Sequence, residues 1–98
     1  MSKAIYIKTD RTIQEVKPKN KYFSYKEMSD FVGGMIEIVP LPSGKLLICN
    51  EEGKLIGLEK NEEATKIWQK EYPIEKYPLN NDELIVGNVV ITDEKLIE

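Results

Sequence analysis

Histidine is absent from this chain, and cysteine occurs once, as Cys49. The first absence removes Ser-His-Asp and Cys-His catalysis and most transition-metal sites, because all of these draw on imidazole. The second excludes an internal disulfide and agrees with a reducing compartment. Long apolar runs are also missing. No stretch approaches the roughly 20 residues that cross a bilayer, and no charged-then-apolar leader opens the chain. These absences lead us to expect a cytoplasmic protein that makes no membrane contact, is not an enzyme, and carries no metal, no cofactor and no catalytic residues.

What is present suits a small globular domain. The 98 residues are 41% hydrophobic and 32% charged, which predicts a single domain over residues 1–98 with one core. The net charge of −3 conceals an asymmetry. Residues 1–26 carry seven basic groups and two acids, whereas residues 27–98 carry seven lysines and fifteen acids. A polarised surface would follow, unless the charges mix once the chain folds.

The stretch from Phe31 to Leu58 organises the chain. It reads as a helix end, a glycine corner and three consecutive strands. Before it, Ile5–Ile7 and Thr12–Val16 flank a Thr9-Asp10-Arg11 turn and predict a hairpin. Ser24-Tyr25-Lys26-Glu27 has the form of a capping box. Met28, Phe31 and Val32 then give a short helix an apolar stripe, and Gly33 is its expected left-handed stop. Met35–Val39 predicts a strand, closed by Pro40 and Pro42. Lys45–Cys49 is apolar on both faces, as a central strand or a subunit contact would be. Asn50-Glu51-Glu52-Gly53 predicts a hairpin turn, with Leu55–Leu58 returning as its partner. Asn61 caps a second helix whose face is Ala64, Ile67, Trp68 and Tyr72, and Pro73 ends it. Residues 72–83 read as a loop and Leu84–Thr92 as the last long strand, bulged at Gly87-Asn88. The tail, Asp93–Glu98, would add a short pairing. The expected fold is α+β, an antiparallel or mixed sheet of five to six strands with two helices packed mainly on one face.

One segment suggests a ligand. In Lys17-Pro18-Lys19-Asn20-Lys21-Tyr22-Phe23-Ser24-Tyr25-Lys26, basic and aromatic residues alternate just before a helix N-terminus. Free amides and the helix dipole attract phosphate there, and aromatic rings stack on bases. Arg11, Lys17, Lys19 and Lys21 would take phosphate, and Tyr22 or Tyr25 would stack. Gly33 and Gly34 could add a backbone nest for an anion. The plain alternatives are a solvated loop in which Tyr22 and Phe23 staple the helix entry, and a glycine pair that only caps and turns. Glu37, inside an apolar strand, could contact a ligand or mark an edge, but reads first as an exposed position on the open face of the sheet; Asn50-Glu51-Glu52 reads as turn chemistry, and Cys49 as a small core hydrophobe.

Four blocks carry a family resemblance: Val32-Gly33-Gly34-Met35-Ile36-Glu37, Asn50–Leu58, Asn61-Glu62-Glu63-Ala64-Thr65 and Val86–Ile91. In this order they resemble a family of small phage, plasmid and mobile-element proteins, catalogued as a domain of unknown function. Glu59 and Glu62 stand where that family often has proline. The family has no assigned reaction, so the resemblance implies a setting only: accessory proteins that counter host defence in a bacterial cytoplasm. Two readings stand together. One is a non-enzymatic anti-defence binder that sequesters a small anionic, nucleotide-derived immune signal. The other is an inhibitor of a host defence protein, acting through the acidic residues Glu62, Glu63, Glu71 and Glu75. Nucleic acid is not among the expected partners. The doubly apolar strand and small core suggest a homodimer.

Overall fold

The sheet is built around strands that are apolar on both faces. Val89–Asp93 (β5) and Lys45–Asn50 (β4) lie side by side in a sheet whose order is β2-β1-β5-β4-β3, antiparallel throughout. The other strands are Ala4–Ile7 (β1), Ile13–Val16 (β2) and Ile36–Pro40 (β3). The helices are Tyr25–Val32 (α1) and Glu62–Glu71 (α2), and a short 3-10 helix follows β5 at Glu94–Leu96. This computed structural model describes residues 3–97. No helix among them is long and apolar enough to cross a membrane.

Alternation along the central strands sends side chains to two cores. Ile48 and Val90 pack with Met28, Val32 and Phe23 under α1. Leu47, Val89 and Ile91 pack with Ala64, Trp68 and Ile85 under α2. The α+β class and the five-stranded antiparallel sheet agree with the sequence expectation, but the helices do not share a face. A strand buried on both sides needs a cover on each, and α1 and α2 provide one apiece. Both apolar faces of β4 are therefore used within the chain.

The caps form as their residues dictate. Ser24 Oγ accepts from the Glu27 amide, and the Glu27 carboxylate accepts from the Ser24 amide. Gly33 ends α1 at φ 79°, a conformation glycine adopts without a Cβ penalty. Leu55–Leu58 is not a strand. It coils through bonds such as Ile56 N–H to Glu52 O and Leu58 N–H to Gly53 O. The reason is topological: β3 and β5 already occupy both edges of β4, so no edge remains for a returning strand. Strand β5 begins only at Val89. Ahead of it, Val86 bridges to Lys60, the Gly87 amide donates to Glu59 O, and Gly87 turns at φ 75°. The tail forms the 3-10 turn rather than a pairing, and Glu98 lies outside the described residues.

Asn61 is fully buried. Its Oδ1 accepts from the Ala64 amide at 3.0 Å, capping α2. Its Nδ2 donates to Ile7 O at 3.0 Å and to Gly87 O at 2.8 Å. We expect Asn61→Ala to cost about 3 kcal/mol in urea unfolding, from one lost cap and two buried carbonyls left short of a donor. Asn61→Asp, ordinarily an equal cap, should cost at least as much here, because its second oxygen would face both carbonyls.

Candidate functional site

Strand β2 delivers the first part of the candidate site. Val16 pairs with Ala4, and one further step of that register sets Lys17 opposite Lys3. Pro18 then turns the chain away. The loop returns through Lys21 and is tied at its end by Phe23 N–H donating to Leu96 O at 2.8 Å. Lys3, Lys17 and Lys21 thus border one hollow of about 290 Å³, with Glu15 and Asn20 on its rim and Leu96 in its wall. Like charges facing across strands repel. Among the described residues, none of the three lysines has an ion-pair partner.

The other residues singled out in the sequence stand apart from this hollow. Lys19 and Tyr25 do not line it, and Tyr25 is 57% exposed on the first turn of α1. Tyr22 lies behind Lys21, whose Nζ sits 5.4 Å from the ring centroid. Arg11 occupies the β1–β2 turn at φ 75°, separated from Lys17 by the length of β2, roughly 13 Å at strand rise. Gly33 and Gly34 lie at the far end of α1, about 12 Å of helix away. Both of their amides already donate to Ser29 O, and a Cβ on Gly34 would come within 2.9 Å of the Asn50 amide. That pair is a cap and a close packing contact.

At the N-terminus of α1 the chain's own carboxylate engages the capping residue and the loop before it. Glu27 accepts from the Ser24 amide at 2.9 Å and from the Lys19 amide at 3.0 Å. These bonds, that of Ser24 first, hold the Glu27 carboxyl below its ordinary pKa.

A second concavity opens on the α2 side, between β3, β4 and the loop after α2. It measures about 380 Å³; Val39, Leu47 and Cys49 form its floor, Trp68 and Ile85 its wall. Glu37, Glu51 and Glu83 border it with a single cation, Lys54, which is ion-paired to Glu83. Burial, and then the Glu37 carboxylate, push the Cys49 thiol up to about 11. A thiol held protonated at neutral pH is a poor nucleophile, and the acidic rim disfavours an anion. Glu37 is exposed and stands on an edge strand, as its sequence position allows, but the cleft beside it was not evident in the sequence. The signal was the shared face of Glu37, Val39, Leu47 and Cys49, readable only once β3 and β4 are in register.

The acidic residues of α2 are largely engaged. Glu62 pairs with Lys60, Glu63 with Lys66, and Glu71 accepts from both the amide and the hydroxyl of Ser43.

A five-stranded antiparallel sheet between two helices, with a basic hollow at one side and an acid-rimmed cleft at the other, defines a small α+β domain with room for partners at its margins. Comparison with family models gives a match over residues 1–96, and the chain belongs to that family, described as Domain of unknown function (DUF3846). No curated protein and no solved structure matches it significantly.

The raised pKa of Cys49 gives a signed expectation. Its contribution to stability is present below pH 9.0 and is lost as pH rises toward about 11. Chemical denaturation across that interval should show a steeper decline for the native protein than for Cys49→Ala. At pH 8, a thiol reagent should label the native protein about 100-fold more slowly than the unfolded chain, following the thiolate fraction.

Proposed function

We propose that this protein is a non-catalytic binder that holds a small anionic, nucleotide-type ligand in the hollow between Lys3, Lys17 and Lys21. The observation that carries this reading is the convergence of three lysines on one hollow with no ion-pair partner among the described residues. A phosphate group relieves their mutual repulsion and gains charge-assisted hydrogen bonds. Lys17 and Lys21 take the phosphate together with Lys3, and Tyr22 steadies Lys21 through the face of its ring. Arg11, Lys19, Tyr25, Gly33 and Gly34 fall outside the grip.

Two further features support binding without conversion. The chain has no imidazole, and its one thiol is kept protonated. The resemblance to mobile-element proteins supplies the setting: sequestration of a nucleotide-derived immune signal in a bacterial cytoplasm. The competing reading, an inhibitor acting through the acidic face of α2, is weaker because Glu62, Glu63 and Glu71 are already partnered.

Thermal unfolding with a panel of cyclic and ADP-ribose-type nucleotides tests the proposal. A ligand at 100 times its dissociation constant should stabilise the protein by about 2.7 kcal/mol. Lys17→Glu with Lys21→Glu should abolish the effect, and added salt should weaken it. An unchanged melting temperature across the panel, or a shift that survives the double variant, overturns the proposal. Recovery of a chemically altered nucleotide would make the protein an enzyme.

A further inference from the structure

Strand β3 ends the sheet with one edge open, and its register shows what that edge presents. Glu51 N–H donates to Met35 O and Leu41 N–H to Lys45 O. Met35, Glu37, Val39 and Leu41 therefore direct their backbone groups at β4, and Ile36, Ile38 and Pro40 direct theirs outward. Pro40 has no N–H, and its carbonyl accepts from Tyr72 Oη. The open donors are those of Ile36 and Ile38. Ile38 is 40% exposed and Met35 57%, so the edge is apolar as well as unpaired.

A second copy of the chain is a poor occupant. A two-fold pairing that joins Ile36 to Ile38 of the other copy sets Glu37 against its own image, at the closely spaced position where side chains approach most. Pairings shifted toward the end of the strand place Pro40 opposite Ile36 or Ile38 and lose donors. The same two residues admit a different strand. Opposite Glu37, a lysine or arginine would lie at the close cross-strand position, with its head toward the cleft rim formed by Glu37 and Glu51. Opposite Val39, an apolar residue fits.

We propose that the free edge of β3 receives an extended segment of a partner protein as a sixth strand, with a basic side chain opposite Glu37. Main-chain bonds to Ile36 and Ile38 supply attachment, and the residue facing Glu37 supplies selectivity. The lysine hollow involves β2, at the other end of the sheet, so this site neither uses nor blocks it, and each proposal can fail alone.

The probe is a capped, fluorescent hexapeptide of valine and threonine with one central lysine, titrated against the full chain by anisotropy. It should bind, and amide spectra should move at Ile36 and Ile38. A glutamate in place of the lysine should weaken binding about tenfold, the result of turning a favourable cross-strand charge pair into a repulsive one. Glu37→Lys should reverse that preference. N-methylating the peptide amides that face β3 should abolish binding without touching the protein. Equal affinity for the two peptides, indifference to N-methylation, no binding of either, or dimerisation of the chain through β3 would each overturn the proposal.

Discussion

The buried amide of Asn61 is the constraint on which the rest depends. One side chain joins the end of β1, the turn before β5 and the first turn of α2. Its amide nitrogen donates to the carbonyls of both Ile7 and Gly87, so separating the three elements would leave a buried amide and a helix cap without their partners. One turn later Thr65 repeats the device: its hydroxyl accepts from the Ile85 amide at 3.1 Å and lies 3.4 Å from the Ile85 carbonyl. The N-terminal half of α2 is thus attached by polar bonds, and the C-terminal half by Trp68, which packs in the core and donates to Asn80 O at 2.7 Å. That second attachment sets the loop which walls the acid-rimmed cleft.

Local chemistry was legible in the sequence wherever one residue type answers one backbone need. The Ser24–Glu27 box, the left-handed Gly33 and the Asn61 cap all stand where their side chains or lack of one required. So does the doubly apolar β4, central as its pattern indicated. Pairings decided by distant parts of the chain were hidden. Leu55–Leu58 has the composition of a strand but finds no free edge, because β5 arrives from about forty residues downstream to fill it. The faces taken by the two helices were hidden for a related reason. The apolar stripe of α1 and that of α2 look alike in sequence, and only the two-sided burial of β4 and β5 separates them.

The candidate site divides along the same line. Lys17 and Lys21 were visible as a basic run, but Lys3 joins them through the β1–β2 register, which charge counting does not supply. Lys19 belonged to the same run and is set apart because its amide is committed to Glu27. The run also carried more apparent free amide than the fold leaves available, since the amides of Lys19, Phe23 and Ser24 are bonded within the chain. The charge asymmetry of the chain survives folding in part. The basic hollow adjoins the β2 edge and the acid-rimmed cleft adjoins β3, so opposite signs gather at opposite margins of the sheet.

That separation follows from size. A domain of 98 residues with both sheet faces covered has little interior to give to a ligand. Its central strands are spent on two cores, its helix termini on their own caps, and most acids of α2 on neighbouring lysines and a serine. Two peripheral places stand open among the described residues: a hollow bordered by three lysines at the end of the β1–β2 hairpin, and two backbone amides on a terminal strand beside a carboxylate. Occupying either place disturbs no buried contact, so binding there can add to the stability of the fold without first opening it.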